Sequence, residues 1–172
     1  GLRIAELEGG SLRNAIPRES FATIVIDEIS KEPFLFEIDA LIETIKSEFK
    51  TIEPNLSIDI IPVDSPMKTM SLGVQEGFIK SVYAALNGVY KMSPDIPDLV
   101  ETSNNIARII VKDGEITIAC LTRSSSESSK YDLANSLRSC FELSGFDVEF
   151  SGSYPGWQPN VNSEILKILS PL

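Results

Sequence analysis

The residues of this chain best suited to chemistry sit in two places. The first is Gly9–Ser20, Gly-Gly-Ser-Leu-Arg-Asn-Ala-Ile-Pro-Arg-Glu-Ser, where Arg13, Asn14 and Arg18 crowd a short loop that Pro17 stiffens. Gly9 and Gly10 permit positive φ or close approach of another strand. One reading is a polar connection between two strands. The other is a loop that presents an amide and guanidinium groups to a carboxylate or carbonyl. Periodicity does not choose between them. The second place is the end of an alternating run, Ile116–Arg123. There Ile116, Ile118 and Cys120 fall on one face, and Thr117, Ala119, Leu121 and Arg123 on the other. Arg123 at a strand end is either an ordinary exposed charge or a ligand for an anion.

Other chemistries are excluded by what the 172 residues contain. There is no histidine, and Cys120 and Cys140 have no ligand spacing, so a zinc site of imidazoles and thiolates cannot be assembled within the chain. Ser-His and Cys-His arrangements also lack their base. The two cysteines fall in a predicted strand and a predicted helix and read as buried, reduced thiols of a cytosolic protein. The net charge of −10 argues against a general nucleic-acid or anionic-membrane surface. No apolar run approaches the roughly 18 residues of a membrane span, and no signal peptide precedes the first strand. The opening Gly-Leu-Arg, already within a strand, reads as a segment cut from a longer protein with a tag glycine left behind.

The elements that must position these residues follow from periodicity. Leu2–Leu7 and Phe21–Ile26 read as an antiparallel pair around the Asn14 loop. Asp27–Lys31 is a polar break. Glu32–Lys50 is a helix with Ile38, Leu41, Ile42, Ile45 and Phe49 on one face and Pro33 in its first turn. Ser57–Val63 alternates as a strand that Pro62 pushes to an edge. Ser65-Pro66 is read as the start of a helix running to Asn87, closed by Gly88, with Gly73 and Gly77 marking close packing. Val89–Leu99 is a loop. Ile106–Val111 and Glu115–Arg123 form a hairpin about Asp113-Gly114, the preferred type I′ pair. Ser124–Ser129 is a serine-rich loop with a helix cap. Lys130–Ser144 is a helix closed by Gly145, and Phe146–Phe150 alternates as a last strand. Beyond Gly152 the chain becomes aromatic and turn-rich, ending in a short amphipathic segment, Ser163–Leu169.

These elements give an α+β fold, a two-layer sandwich with an antiparallel sheet and helices on one face. Gly9-Gly10-Ser-Leu-Arg-Asn-Ala-Ile-Pro-Arg-Glu-Ser-Phe-Ala-Thr-Ile24 resembles the lid-domain signature of the aminoacyl-histidine dipeptidases, also called peptidase D or cytosol non-specific dipeptidases. Val100-Glu-Thr-Ser-Asn-Asn105 and Gly152-Ser-Tyr-Pro-Gly-Trp-Gln-Pro159 are similar to later segments of the same lid, in the same order. The resemblance implies a ferredoxin-like lid and dimerisation domain over 1–152, enlarged by an insertion at 27–99. Residues 153–172 would then exit toward an absent catalytic zinc domain.

In that family the catalytic domain holds two zinc ions and a general-base glutamate, and it hydrolyses Xaa-His and other dipeptides with metal-activated water. The lid closes over the substrate and supports a homodimer. The resemblance therefore implies no cofactor in this chain and zinc in its parent, a cytoplasmic location, and neither nucleic acid nor membrane as partner. It also implies no catalytic or metal-binding residue here. Asn14 matches the lid position that touches the substrate or tetrahedral intermediate. The family's carboxylate-binding arginine ends the strand after this motif, where this chain has Ile26-Asp27 instead. Arg123 is the substitute candidate, Asn105 a third substrate contact, and Arg18 a partner for a local acid. The alternative reading is a stand-alone ferredoxin-like module that binds a small ligand or a protein without catalysis. A hydrolase built from Asn and Arg alone has no phosphate-loop motif to support it.

Overall fold

Strands β1 (Arg3–Gly10) and β2 (Ser20–Val25) pair antiparallel around the Asn14 loop, as their alternation predicts. A computed structural model describes residues 1–160 and 162–169 of the chain. Helix α1 (Glu28–Phe49) and helix α2 (Leu72–Ala84) follow. Then come β3 (Gly88–Met92), β4 (Val100–Lys112), β5 (Glu115–Ser124), α3 (Glu127–Glu142) and the short α4 (Glu164–Leu169).

The architecture is an α+β fold with a five-stranded antiparallel sheet. The 13-residue strand β4 is its axis. One edge of β4 carries β5 along Thr102–Lys112. The other edge is shared end to end, with β3 against Val100–Asn104 and β1 against Arg108–Val111. The β4–β5 hairpin turns at Asp113 (φ 55°) and Gly114 (φ 88°), the two positive values a type I′ turn requires.

Helices α2 and α3 cover one face. Ala85, Leu133, Leu137 and Phe141 pack with Ile106, Ile118 and Cys120. Ile4, Phe78 and Val111 form a second cluster with Ile109 and Ile116. A register shift between Ile106 and Arg108 explains how β4 serves both clusters. One extra residue, the fully buried Ala107, lets Asn104 and Ile106 face the helices before it and Ile109 and Val111 after it. Gly10 lies against this bulge at φ 74°, where a Cβ would come within 1.9 Å of the Ala107 carbonyl oxygen. The positive φ and close approach expected of the Gly9-Gly10 pair thus fall on Gly10.

Helix α3 ends in a Schellman motif. The Phe146 N–H donates to the Phe141 carbonyl (3.2 Å) and the Gly145 N–H to that of Glu142 (2.9 Å), with Gly145 at φ 84°. The apolar contact of this motif is the edge-to-face pair Phe141–Phe146, with centroids 6.2 Å apart.

Several expected boundaries move. Asp27–Lys31 is not a break: Asp27 caps α1 by accepting the Ser30 N–H at 2.8 Å, so the helix starts at Glu28 and Pro33 lies in its second turn. Ser57–Val63 forms no ladder, since Pro62 lacks a donor and Ile61 and Val63 stay exposed. Helix α2 begins after Ser71 rather than at Ser65-Pro66, because residues 65–71 pass β1, where the Met70 N–H bonds the Ile4 carbonyl at 2.7 Å. It ends at Ala84, well before Gly88. Gly73 faces open space, and a Cβ on Gly77 would meet Ser144 only at 3.5 Å, so neither marks a close crossing. Residues 89–92, expected as loop, pair with β4 together with Gly88, expected as the helix stop. Phe146–Phe150 forms no ladder either: Phe146 is drawn into the core by the helix cap, and Phe150 lies under the Arg138 guanidinium at 3.9 Å. Residues 161 and 170–172 of the expected exit segment lie outside the described residues.

Candidate functional site

The face of the sheet away from α2 and α3 carries the candidate residues. On β4 and β5 the pairs Ser103–Arg123 and Asn105–Leu121 stand side by side. Their neighbours in sequence, Thr102, Asn104 and Thr122, point toward the helices, and Thr102 and Asn104 are buried there. Alternation therefore puts Asn105 and Arg123 on the same open face as diagonal neighbours, a spacing of about 7–8 Å.

The loop between β1 and β2 folds onto this face. Leu12–Ala15 is a β-turn closed by the Ala15 N–H to the Leu12 carbonyl at 3.0 Å, with Arg13 and Asn14 in its centre. Asn14 is exposed, between Leu12 and Ile16, which are exposed as well. The Asn105 amide nitrogen donates to the carbonyls on both sides of Asn14, Ala15 at 2.8 Å and Arg13 at 3.4 Å. The backbone on both sides of Asn14 thus rests on Asn105, which is itself diagonal to Arg123 in the β4–β5 ladder. Arg18, expected to pair with a local acid, makes no ion pair within 4 Å among the described residues.

Beside this corner a cleft of about 1050 Å³ runs along the free edge of β5, between α3 and residues 146–157. Arg13, Arg123, Lys130, Tyr154 and Trp157 line it. Neither Arg13 nor Arg123 pairs with a carboxylate among the described residues, so both guanidinium groups are available to an anion. Arg13 Nη1 donates to Ser151 Oγ at 3.3 Å. The far wall is fastened by Glu127, which accepts from Lys130 Nζ (2.7 Å) and the Gly156 N–H (2.8 Å), while Lys130 also donates to the Tyr154 carbonyl (2.7 Å). Lys130 above all, then the Gly156 amide, holds Glu127 below the usual carboxylate range. A Cβ at Gly156 would lie 2.3 Å from the Ser124 carbonyl oxygen, so glycine allows this segment to reach the end of β5.

Glu101 is a residue that pattern reading does not single out. Its side chain, 10% exposed, accepts from Lys91 Nζ at 3.0 Å, Ser129 Oγ at 3.0 Å and Thr102 Oγ1 at 3.3 Å. It ties β3, β4 and α3 together next to Arg123. The ammonium of Lys91 leads the effects that hold its carboxyl low, against the opposing effect of burial. Its only sequence signal is its place in Val100–Asn105. Cys120 and Cys140 are free thiols, both partly buried, and burial pushes the Cys120 thiol up, away from nucleophilic reactivity.

Among the described residues no three His, Cys, Asp or Glu side chains converge where a metal ion could sit. The donor sets among the described residues do not fit a zinc site. Asn14 carries an amide that can donate a hydrogen bond, and the Arg13 and Arg123 guanidinium groups are suited to an anion, with the carboxylates of Glu101, Asp147 and Glu149 lining the same cleft. No helix among the described residues is long and apolar enough to cross a membrane.

No protein-family profile matches the chain. Over 168 residues it is 34% identical to the cytosol non-specific dipeptidase of Escherichia coli (strain K12), a match covering 98% of this chain and 35% of that protein. The crystal structure of aminoacylhistidine dipeptidase from Vibrio alginolyticus has the same fold, with a TM-score of 0.92 and 36% identity over 97% of this chain and 34% of that one. The chain spans about a third of the length of the relatives it matches. In sequence and in fold it corresponds to a domain-sized part of the aminoacylhistidine, or cytosol non-specific, dipeptidases.

Proposed function

We propose that this chain is the lid domain of a zinc-dependent dipeptidase, and that its parent hydrolyses Xaa-His and other dipeptides in the cytoplasm. The observation that carries the reading is the match along nearly the whole chain, at 34% identity, to a dipeptidase about three times as long. On this reading residues 1–152 form the lid, 27–99 an insertion within it, and 153–172 lead to the catalytic domain. The zinc ions belong to that domain, since the donors here do not fit them, and the metal supplies the activated water. Asn14 donates its amide to the oxyanion that forms at the scissile carbonyl. Arg123 binds the substrate carboxylate, for which its planar fork is suited.

We also assign the dimer contact to the insertion. Its support is an apolar surface left uncovered by the described residues: Ile29, Phe36, Ile52, Ile61 and Met67 are 71–98% exposed, and Ile42 is the one buried residue of α1.

The test is hydrolysis by the intact gene product. Zinc-loaded full-length protein is expected to cleave Xaa-His dipeptides, and the 172-residue chain alone is expected not to. Micromolar dipeptide binding by the isolated chain in calorimetry, with no hydrolysis by the intact product, would favour the stand-alone ligand-binding module instead.

A further inference from the structure

We propose that Asn105 is a positioning residue that sets the conformation of the Asn14 turn, rather than a ligand of the substrate; this rests on the reading of Asn14 given above. The amide of Asn105 has two N–H donors, and both are used on the backbone carbonyls that flank Asn14, at 2.8 Å (Ala15) and 3.4 Å (Arg13). Both partners are acceptors, which fixes the orientation of the amide: the nitrogen faces the loop and the oxygen faces away.

The clamp also supplies something the loop lacks. The turn has one backbone hydrogen bond of its own, Ala15 N–H to Leu12. Leu12, Asn14 and Ile16 are exposed and contribute no burial that would hold it. Pro17 restricts the chain on one side only. Asn105, by contrast, sits within the β4–β5 ladder opposite Leu121, on a rigid element. It therefore transfers the rigidity of the sheet to the peptide units on both sides of Asn14. Displacement of a reacting or stabilising group by about 1 Å is enough to cost about a hundredfold in rate. The same residue lies diagonal to Arg123, so one side chain references the amide donor to the strand pair that carries the guanidinium.

Two measurements test this. In the first, amide hydrogen exchange is followed in this chain and in its Asn105→Asp variant, which keeps size but turns donors into acceptors facing two carbonyls. The Ala15 amide, the hydrogen-bonded N–H of the turn, is expected to exchange at least tenfold faster, with the β4–β5 hairpin unchanged as the control for folding. Unchanged exchange at Ala15 overturns the proposal. Asn105→Ala, which adds no charge, repeats the experiment should the aspartate unfold the chain. The second is a double-mutant cycle on turnover in the intact enzyme. Asn14→Ala is expected to lower kcat by about 10²–10³, Asn105→Asp by about a hundredfold with little change in KM, and the pair no more than Asn14→Ala alone. Losses that multiply would show that Asn105 acts independently, and so overturn the proposal. An Asn14→Ala enzyme with full turnover sinks the reading of Asn14 itself, and the exchange result then decides the anchoring alone.

Discussion

At the scale of single residues, the chain divides its polar side chains between those that hold the fold and those left open. Glu101 belongs to the first kind. Lys91 and two hydroxyl groups stabilise its carboxylate in the folded protein, so its pKa lies lower there than in the unfolded chain. A depressed carboxylate contributes stability that is fully present above the ordinary glutamate pKa, about 4.3, and is lost as pH falls through the folded value. Glu101→Gln is expected to lower Tm at pH 7, with the difference from wild type closing below about pH 4; thermal melts across pH check this. A difference that persists at low pH would mean the carboxylate charge is not what Glu101 contributes. Asn14 and Arg123 are candidates that the sequence itself offers, through a motif and a strand end. Glu101 is not one of them, since its partners come from β3 and α3, far away in the chain, and no local pattern encodes such a meeting. Asn105 was legible as a position but not as a role, because the role depends on a loop about 90 residues earlier folding onto it.

At the scale of elements, the places where periodicity succeeded and failed have physical reasons. The Asp113-Gly114 hairpin and α3 are local structures, set by turn chemistry and a 3.6-residue stripe; the turn forms where expected, whereas β4 starts earlier, at Val100, and α3 starts at Glu127, inside the expected serine-rich loop, because Ser126 caps it. Residues 57–63 and 146–150 alternate like strands but join no ladder, although β5 has a free edge beside the latter, and alternation alone cannot say whether pairing occurs. Residues 88–92 join β4 although their proline- and aspartate-rich neighbourhood resembles a loop. Glycines show the same limit. Gly10 and Gly77 look equally expendable or equally essential in sequence, yet one meets a backbone oxygen at positive φ and the other has room. Gly10→Ala is expected to destabilise by at least about 1–3 kcal/mol, from the left-handed φ alone. Gly77→Ala is expected to stabilise by about 0.5–1 kcal/mol, from helix propensity. Chemical denaturation of the two variants compares them; equal effects would contradict the bulge geometry at Ala107.

At the scale of the whole molecule, two features have no completion among the described residues. One is the apolar surface of residues 27–99, centred on α1. A helix with Ile29 92% and Phe36 78% exposed on one stripe is poorly explained as a solvent-facing element. If this surface joins two copies, Phe36→Glu in the intact gene product is expected to convert a dimer to a monomer at micromolar concentration, measured by light scattering. A wild-type monomer, or a variant that stays dimeric, removes the insertion from the interface.

The other feature is the open face that carries Asn105 and Arg123 beside the cleft, with the Asn14 turn folded onto Asn105 and no metal-ligand cluster among the described residues. On the proposed reading this corner supplies substrate contacts, and a catalytic domain supplies the reacting water. The most direct test of that claim uses the intact zinc-loaded enzyme and compares a dipeptide with its C-terminally amidated analogue, in wild type and in Arg123→Ala. A guanidinium–carboxylate contact is worth about 1.5–3 kcal/mol. The wild type is therefore expected to prefer the free carboxylate by roughly ten- to a hundredfold in kcat/KM, and the variant to lose that preference while cleaving the amide as before. An intact enzyme that cleaves neither peptide, or an Arg123→Ala variant that keeps the full preference, would contradict the account.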